Sequence, residues 1–290
     1  MDELLTGKII KGIAGFYYVQ SEGKGLFACK AKGLFRSLGI KPLVGDNCRF
    51  KITDEADMEG NVEEILPRKN SIIRPACANI DEALIVVSAS KPAIKYILLD
   101  KILLFFEYYE IPVCICLNKT DEADATVIDE VRYRYAKSGV KLICTSAESG
   151  TGLEDLKKHI SGKTVILTGP SGTGKSSLVN VMFPEAAMET GEVSKIGRGR
   201  HTTRHTELFR IAPDTYVADT PGFTSIDIPS IEADRLKFYY NEFAPFEGKC
   251  RFDMCTHIHE PGCAVKEALE SGEIDEGRYE IYKEFYSALR

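Results

Sequence analysis

The chain has 290 residues, of which 44% are hydrophobic and 28% are charged, as in an ordinary folded protein of about two domains. Its net charge of −6 excludes a protein that binds polyanions through a uniformly basic surface. The chain begins Met1-Asp2-Glu3 without an apolar leader, and its longest apolar stretch, 97–106, is interrupted by Asp100-Lys101. We therefore expect a cytoplasmic protein with no membrane span.

The N-terminal residues 1–67 have the pattern of a small β-barrel. Segments rich in β-forming residues are bounded by Gly, Pro or Asp, and we predict strands at 8–19, 25–31, 47–53 and 62–66. No long helical period interrupts them. An OB-like barrel is therefore the expected fold, and barrels of this kind commonly bind nucleic acids.

Basic residues are concentrated in two stretches, although the chain as a whole is acidic. In 8–51 they are opposed only by Glu22 and Asp46, and in 195–210 only by Glu207. Either stretch can contact the phosphates of RNA, and either can equally be a solvated surface. The basic residues are Lys8, Lys11, Lys24, Lys30, Lys32, Arg36, Lys41, Arg49, Lys51, Lys195, Arg198, Arg200, Arg204 and Arg210.

From Glu82 onwards, strands and helices alternate. We predict strands at 83–88, 113–117, 142–145, 164–168, 206–211 and 215–218, and helices at 94–109, 123–138, 156–160 and 175–183. This alternation predicts an α/β domain over 68–229 with a mainly parallel sheet. The motifs described below fall at the C-terminal ends of these strands, where open α/β sheets bind ligands.

A phosphate-binding loop follows the predicted strand 164–168 and precedes a predicted helix. Glycines in such a loop let backbone N–H groups surround phosphate oxygens, Lys175 neutralises their charge, and the Ser176 hydroxyl binds Mg²⁺. The loop matches G-x-x-x-x-G-K-[ST] and consists of Gly169, Pro170, Ser171, Gly172, Thr173, Gly174, Lys175 and Ser176, followed by Ser177.

A guanine-reading N-K-x-D motif lies earlier in the chain, at Asn118-Lys119-Thr120-Asp121. The Asp121 carboxylate can accept hydrogen bonds from guanine N1–H and N2–H₂ together, a donor pair that adenine lacks. Asn118 and Lys119 are expected to brace the base and the phosphate loop. Ser146-Ala147 follows the next predicted strand, and we expect the Ala147 N–H to read guanine O6.

Switch residues follow the phosphate loop. In Asp219-Thr220-Pro221-Gly222, Asp219 is expected to orient Mg²⁺ through a water and the Gly222 N–H to sense the γ-phosphate. Thr202 and Thr203 are both candidates for the threonine that completes the Mg²⁺ shell, and Thr203 is our choice. Phe223 occupies the position where many GTPases place a glutamine that orients water. His201 is the nearest group that can do so, and a surface histidine is an equally simple interpretation.

The motifs therefore occur in the order base, phosphate, switch, which indicates a circularly permuted G domain. A third module is predicted at 230–290, with a helix at 230–243 and two short helices near the end. Between them stands the pattern Cys250-x4-Cys255-x-His257-x5-Cys263. Three thiolates and one imidazole in so short a span fit one closed, tetrahedral structural Zn²⁺ site, with His259 as a competing ligand.

Together these motifs resemble the ribosome small-subunit-dependent GTPase A family, a group of circularly permuted bacterial GTPases. The resemblance covers nearly the whole chain and includes the G-R-G-R-H-T-T segment at 197–203 and D-T-P-G-F at 219–223. It implies an OB domain, a permuted G domain and a zinc domain. It also implies GTP hydrolysis stimulated by the small ribosomal subunit, with GTP and GDP as ligands, during late maturation of that subunit. The first and last domains would grip the ribosome and its rRNA, and we expect a monomer.

Two other functions compete with this interpretation. The phosphate loop also resembles that of guanylate kinase, although a kinase would begin with this loop and has no use for N-K-T-D. A zinc-dependent RNA-binding protein with a vestigial or regulatory nucleotide site is the second alternative. The intact Lys175, Ser176 and Asp219 favour an enzyme over that alternative.

Overall fold

The computed structural model describes residues 4–33, 35, 39–184, 206–219 and 226–290. The chain divides into two units. The first comprises Met1–Ala83, Leu156–Thr168 and Lys175–Gly222. The second comprises Leu84–Asp155, Gly169–Gly174 and Phe223–Arg290. Within the described residues, no helix combines the length and apolar character needed to cross a bilayer.

The N-terminal part of the first unit is a closed five-stranded barrel, which confirms the predicted fold. The strands are β1 Leu5–Ile13, β2 Phe16–Ser21, β3 Gly25–Ala31, β4 Asn47–Asp54 and β5 Glu59–Ile65. Strand β1 pairs with both β2 and β4, and β3 and β5 complete the ring. Closure leaves this small sheet with few unpaired edges. Its core contains Ile9, Val19, Phe27, Phe50 and Val62, all at most 1% exposed.

The predicted strand 8–19 is wrong, because the chain reverses direction inside it. Ala14 and Gly15 both have positive φ, 52° and 87°, and form a tight turn between β1 and β2. Two successive residues with positive φ match the right-handed twist of a hairpin. The sequence offers only Ala-Gly at this point, a weaker signal than Asn-Gly.

The rest of the first unit carries the strand that leads into the phosphate loop. β11 Thr164–Thr168 lies parallel to β13 Thr215–Asp219, and β12 Glu207–Ala212 pairs antiparallel with β13. β12 also pairs with β1 of the barrel, where Lys11 and Glu207 form an ion pair of 2.6 Å. The unit also contains the short hairpin β6 Ser71–Ile73 and β7 Ala76–Ala78, which the sequence did not predict.

Helices flank the strands of both units. The structure has α1 Tyr96–Tyr108, α2 Ala125–Tyr135, α3 Leu153–Ile160 and α4 Lys175–Met182. Each overlaps one of the four helices predicted for this region. The predicted α/β alternation is therefore confirmed.

In the second unit, β9 Val113–Asn118 lies between β8 Glu82–Ser88 and β10 Lys141–Cys144. β9 and β10 are parallel, with Leu117 opposite Cys144, so their C-terminal ends meet at one edge. β8 is buried along its whole length, as expected for a strand that reads as a continuous apolar run. The base motif begins where β9 ends.

The C-terminal part of the second unit differs from the structure predicted for it. The predicted helix 230–243 is instead two 3-10 segments, Ala233–Tyr239 and Asn241–Phe246. Tyr240 between them is extended, with φ −112° and ψ 92°, and Pro245 lies inside the second segment. Two α-helices follow, α5 Ala264–Glu270 and α6 Glu276–Ala288. Their core includes Leu236, Tyr240, Phe243, Tyr282 and Phe285.

Candidate functional site

Asn118 is the residue on which the base motif and the phosphate loop meet. It ends β9 and is 1% exposed. Its Nδ2 donates to the carbonyl oxygen of Thr173, at 2.9 Å. Its Oδ1 accepts from the Thr145 hydroxyl at 3.2 Å and from the Ala147 N–H at 3.3 Å. One buried amide thus ties together three segments that are far apart in sequence.

Two glycines of the phosphate loop have no room for a side chain. A Cβ on Gly174 would lie 2.3 Å from Asn118 Nδ2, and one on Gly169 would lie 2.1 Å from the carbonyl oxygen of Val86. Both residues also have positive φ, 94° and 130°. Close approach and backbone conformation therefore both require glycine here. Thr173, between them, is 1% exposed, and its hydroxyl donates to the Pro170 carbonyl at 3.0 Å.

The remainder of the base motif forms a short 3-10 turn, Thr120–Glu122. Thr120 anchors this turn, because its N–H and its hydroxyl both donate to the Thr145 carbonyl, at 3.1 and 3.0 Å. Lys119 precedes the turn with φ 62°, and its Nζ donates to the carbonyl of Lys91 at 2.7 Å. Asp121 is exposed, so its carboxylate is open to a base.

The loop after β10 is held by Ser146. Its N–H donates to the Thr151 carbonyl, and its hydroxyl accepts from the Ser149 N–H, both at 2.9 Å. Ser146 is fully buried, and its side chain stabilises the backbone of its own loop. The Ala147 N–H donates to Asn118 Oδ1 at 3.3 Å, a long hydrogen bond.

In the first unit, the structure describes part of the predicted catalytic set. Lys175, Ser176 and Ser177 form the first turn of α4, which continues directly from the phosphate loop. Asp219 is the last residue of β13, and its Cα lies opposite that of Leu167 in the parallel strand β11. Its backbone is thus beside the strand that leads into the loop. The predicted switch residues His201, Thr202, Thr203, Gly222 and Phe223 lie outside the described residues.

The predicted metal ligands are brought together. One ligand atom from each of Cys250, Cys255, His257 and Cys263 lies within 4.8 Å of all the others. His257 Nδ1 is 3.3 Å from Cys263 Sγ and 3.6 Å from Cys250 Sγ, and those two sulfurs are 4.0 Å apart. A tetrahedral zinc ion with bonds of about 2.0–2.3 Å requires ligand separations of this size. The donor set and its closure therefore fit a structural metal ion, and His259 is not part of the cluster.

Residues around the cluster fix the loop that carries His257. Glu260 accepts from the Thr256 N–H and hydroxyl at 2.8 and 2.7 Å, and from the Ile258 N–H at 3.1 Å. Burial raises the pKa of Glu260, but these hydrogen bonds outweigh it and bring the pKa down to about 2. The Tyr279 hydroxyl of α6 donates to the His257 carbonyl at 2.6 Å. The cluster is therefore tied to the C-terminal helix.

Thr145 was predicted to precede Ser146-Ala147 at the end of a strand, but its hydrogen bonds to Asn118 and Thr120 were missed. Its carbonyl anchors the 3-10 turn and its hydroxyl donates to Asn118, yet threonine at a strand end is too common to indicate either role. Ser88, Ser90 and Lys91 were also missed. They follow β8, where the sequence has no recognisable motif.

Family models confirm the resemblance drawn from the motifs. The RsgA GTPase model matches residues 65–229, and the RsgA N-terminal domain model matches residues 6–60. The first of these alone covers more than half of the chain. The expected family assignment therefore rests on the barrel and on the nucleotide-binding domain together.

Full-length relatives and solved structures agree with that match. A protein of Agathobacter rectalis named small ribosomal subunit biogenesis GTPase RsgA is 47% identical, with 99% of this chain and 98% of the relative covered. One of the same name from Caldanaerobacter subterraneus is 45% identical, with 97% and 94% covered. The crystal structure of YjeQ from Thermotoga maritima is 34% identical, covers 99% of both chains and has a TM-score of 0.84. YloQ, described as a circularly permuted GTPase, is also 34% identical, with 99% and 95% covered and a TM-score of 0.80.

Proposed function

This chain belongs to the RsgA GTPase family, and on that premise we propose that it is a GTP hydrolase switched on by the small ribosomal subunit during late maturation of that subunit. The observation that carries the nucleotide part of the proposal is the hydrogen bond from Asn118 to Thr173. It joins the motif that reads the base to the loop that binds the phosphates. Such a link suits one ligand that carries both a base and phosphates.

Guanine selection is assigned to Asp121, with Lys119 and Thr120 holding its turn. A fixed carboxylate that accepts from two guanine donors is left unpaired by adenine, and this loss supplies the discrimination. Guanine O6 is assigned to the Ala147 N–H. In exchange, that N–H would give up its long hydrogen bond to Asn118.

Phosphate chemistry is assigned to the loop and the switch residues. Backbone N–H groups of 169–174 and the Lys175 ammonium stabilise the negative charge that develops on the phosphates. Ser176 and Thr203, with Asp219 through a water, would hold Mg²⁺, which supplies further charge neutralisation when bound. Gly222 would sense the γ-phosphate. Because Phe223 cannot polarise water, His201 or a group on the ribosome is assigned that task.

The four-ligand cluster and the barrel are the parts of the chain proposed to bind a metal ion and the ribosome. We assign zinc to the four-ligand cluster, in a structural role, because it has no open position for a substrate. Contacts to rRNA are assigned to the barrel and the zinc domain. The barrel's basic residues supply the charge that binds phosphates. We further propose domains at 1–67, 68–229 and 230–290, and a monomer acting in the cytoplasm.

The two alternatives are less well supported. A guanylate-kinase-like phosphotransferase has no use for a buried asparagine linking N-K-x-D to the loop. A non-catalytic RNA-binding protein would not need the intact Lys175 and Ser176. Full-length relatives named as GTPases favour hydrolysis over both.

A pelleting experiment tests the switch. Purified small ribosomal subunits are sedimented with protein loaded with either a non-hydrolysable GTP analogue or GDP. We expect strong retention with the analogue and weak retention with GDP, because γ-phosphate contacts order switch segments and hydrolysis releases them. By linkage, subunits should tighten binding of the analogue by the same factor. Equal retention in both nucleotide states would contradict the switch.

A further inference from the structure

The loop that follows β8 is fastened to the guanine-reading motif at three points. The Ala89 N–H donates to the carbonyl of Asn118 at 2.8 Å. Lys119 Nζ donates to the carbonyl of Lys91 at 2.7 Å. The Ser90 hydroxyl donates to Glu122 Oε2 at 2.6 Å. Loop 88–92 therefore runs alongside the base motif, although about thirty residues separate them in sequence.

Ser88 holds this loop in shape independently of the base motif. The residue is 1% exposed, at the end of β8. Its hydroxyl donates to the carbonyl of Lys91 at 3.0 Å and accepts from the N–H of Ser90 at 3.2 Å. The Ser90 hydroxyl is thus presented to Glu122 from a backbone fixed by a buried side chain.

Asp121 lies between two anchored neighbours. On one side, Thr120 is bound twice to the Thr145 carbonyl, at 3.1 and 3.0 Å. On the other side, Glu122 is bound to Ser90. Asp121 itself is exposed. The direction of the Asp121 side chain is set by the backbone of the turn. The hydrogen bonds of Thr120 and Glu122 hold that backbone in place.

We propose that Ser90 and Glu122 are positioning residues for guanine recognition, and that their hydrogen bond orients the Asp121 carboxylate toward the guanine edge. The inference rests on the proposed function, because it concerns the same site. A carboxylate that accepts two hydrogen bonds from one base must be held within about 10–20° of the productive direction. Contact with N2–H₂ is therefore more sensitive to movement of the turn than phosphate binding is.

Inosine triphosphate is the probe that isolates this effect. It matches GTP except that it lacks the 2-amino group, so it can make only one of the two hydrogen bonds to Asp121. The ratio of GTP to ITP affinity thus reports the second hydrogen bond alone. Loss of general stability would weaken both nucleotides together and leave the ratio unchanged.

The experiment measures both affinities for the full-length wild-type protein, Ser90→Ala, Glu122→Ala and the double variant. Loss of the Ser90–Glu122 bond is expected to lower the GTP to ITP ratio about fivefold, the scale of one ordinary hydrogen bond. The double variant should lose no more than Glu122→Ala, since both changes remove the same bond. Glu122→Gln keeps an acceptor oxygen and should retain most of the ratio.

Ser271→Ala is the matched control. Its hydroxyl also lies within hydrogen-bond distance of an exposed carboxylate, that of Glu273 at 3.3 Å, beside the Ala268 carbonyl at 3.0 Å, and it lies in the C-terminal module. This variant should leave the ratio unchanged. A wild-type preference for GTP over ITP that persists unaltered in Ser90→Ala and Glu122→Ala would overturn the positioning role alone. A wild-type protein that binds GTP and ITP equally would instead overturn the assignment of Asp121 itself.

Discussion

Arg278 and Asp100 are 178 residues apart in sequence and form a buried ion pair at 2.8 Å. Arg278 belongs to α6 of the C-terminal module, and Asp100 to α1, which precedes the base motif. Arg278 also binds Glu242 at 2.7 Å, and the Tyr135 hydroxyl donates to Asp100 at 2.8 Å. Burial raises the pKa of Asp100, and the Arg278 charge opposes that shift. The two acids depend on this one guanidinium for compensation.

Arg278→Met should destabilise the protein strongly. Removal of one partner leaves Asp100 and Glu242 buried without a counter-charge, and such losses cost about 3–5 kcal/mol. The measurement is the free energy of unfolding in urea. Arg132→Met is the control, because Arg132 is an exposed residue whose ion pair with Asp129, 3.4 Å away, is also exposed; its other contact is a long hydrogen bond to Cys144 Sγ at 3.8 Å. The control should change stability by less than about 1 kcal/mol. Equal effects of the two substitutions would contradict the structural role of Arg278.

Gly174→Ala should weaken binding of GTP and GDP alike. The new methyl group would meet Asn118 Nδ2 at 2.3 Å and break the link to the base motif. With the added cost of a positive φ, we expect at least about tenfold weaker binding. Gly162→Ala is the control, since Gly162 also has positive φ, 72°, but meets no atom within 4 Å among the described residues. Calorimetric titration with GDP compares the two, and unchanged affinity in Gly174→Ala would refute the contact.

Cys255→Ser should abolish metal retention and leave GTP binding intact. Elemental analysis of the wild-type protein should find one zinc per chain, because the four ligands form one closed cluster. The variant should lose the ion and the order of the surrounding loop, since metal binding contributes to folding such segments. Cys144→Ser, at a thiol outside the cluster, is the control and should keep its zinc. Metal-free wild-type protein with an ordered C-terminal module would contradict the assignment.

Asp121→Asn should shift nucleotide preference from guanine toward xanthine. An amide at this position donates to the O2 of xanthine, whereas it meets a like donor on the 2-amino group of guanine. Competition between GTP and XTP for binding measures the change, with Asp129→Asn as a surface control. Unchanged GTP preference in Asp121→Asn would show that the base is read elsewhere.

Much of the fold and of the site follows from local sequence signals. Motifs such as 169–176 combine a strand, a glycine-rich loop and a helix within a few residues, so their placement is decided locally. The metal ligands can also be predicted from local sequence, because Cys250 and Cys263 are close in sequence and cysteine is a characteristic zinc ligand. Because β9 and β10 are parallel, their C-terminal ends lie at the same edge of the sheet, which the predicted alternation of strands and helices already implies.

Other features depend on contacts that no local pattern encodes. The expected helix at 230–243 has apolar residues at helical spacing, Leu236, Tyr240 and Phe243, yet the chain is extended at Tyr240. Tertiary packing of those residues overrides the periodicity. The pairs Arg278–Asp100 and Ser90–Glu122 join residues with ordinary local surroundings. Charged and hydroxyl side chains of this kind usually face solvent, so only the structure reveals these partners.

Under the proposed function, the small ribosomal subunit activates GTP hydrolysis at this site. The most direct measurement is the steady-state rate of GTP turnover, with and without purified small subunits, for the wild-type protein and Lys175→Ala. We predict slow turnover by the free protein, since Phe223 cannot orient water, and a large increase with subunits that is absent in Lys175→Ala. Turnover by the wild-type protein that is the same with and without subunits would rule out activation by the small subunit.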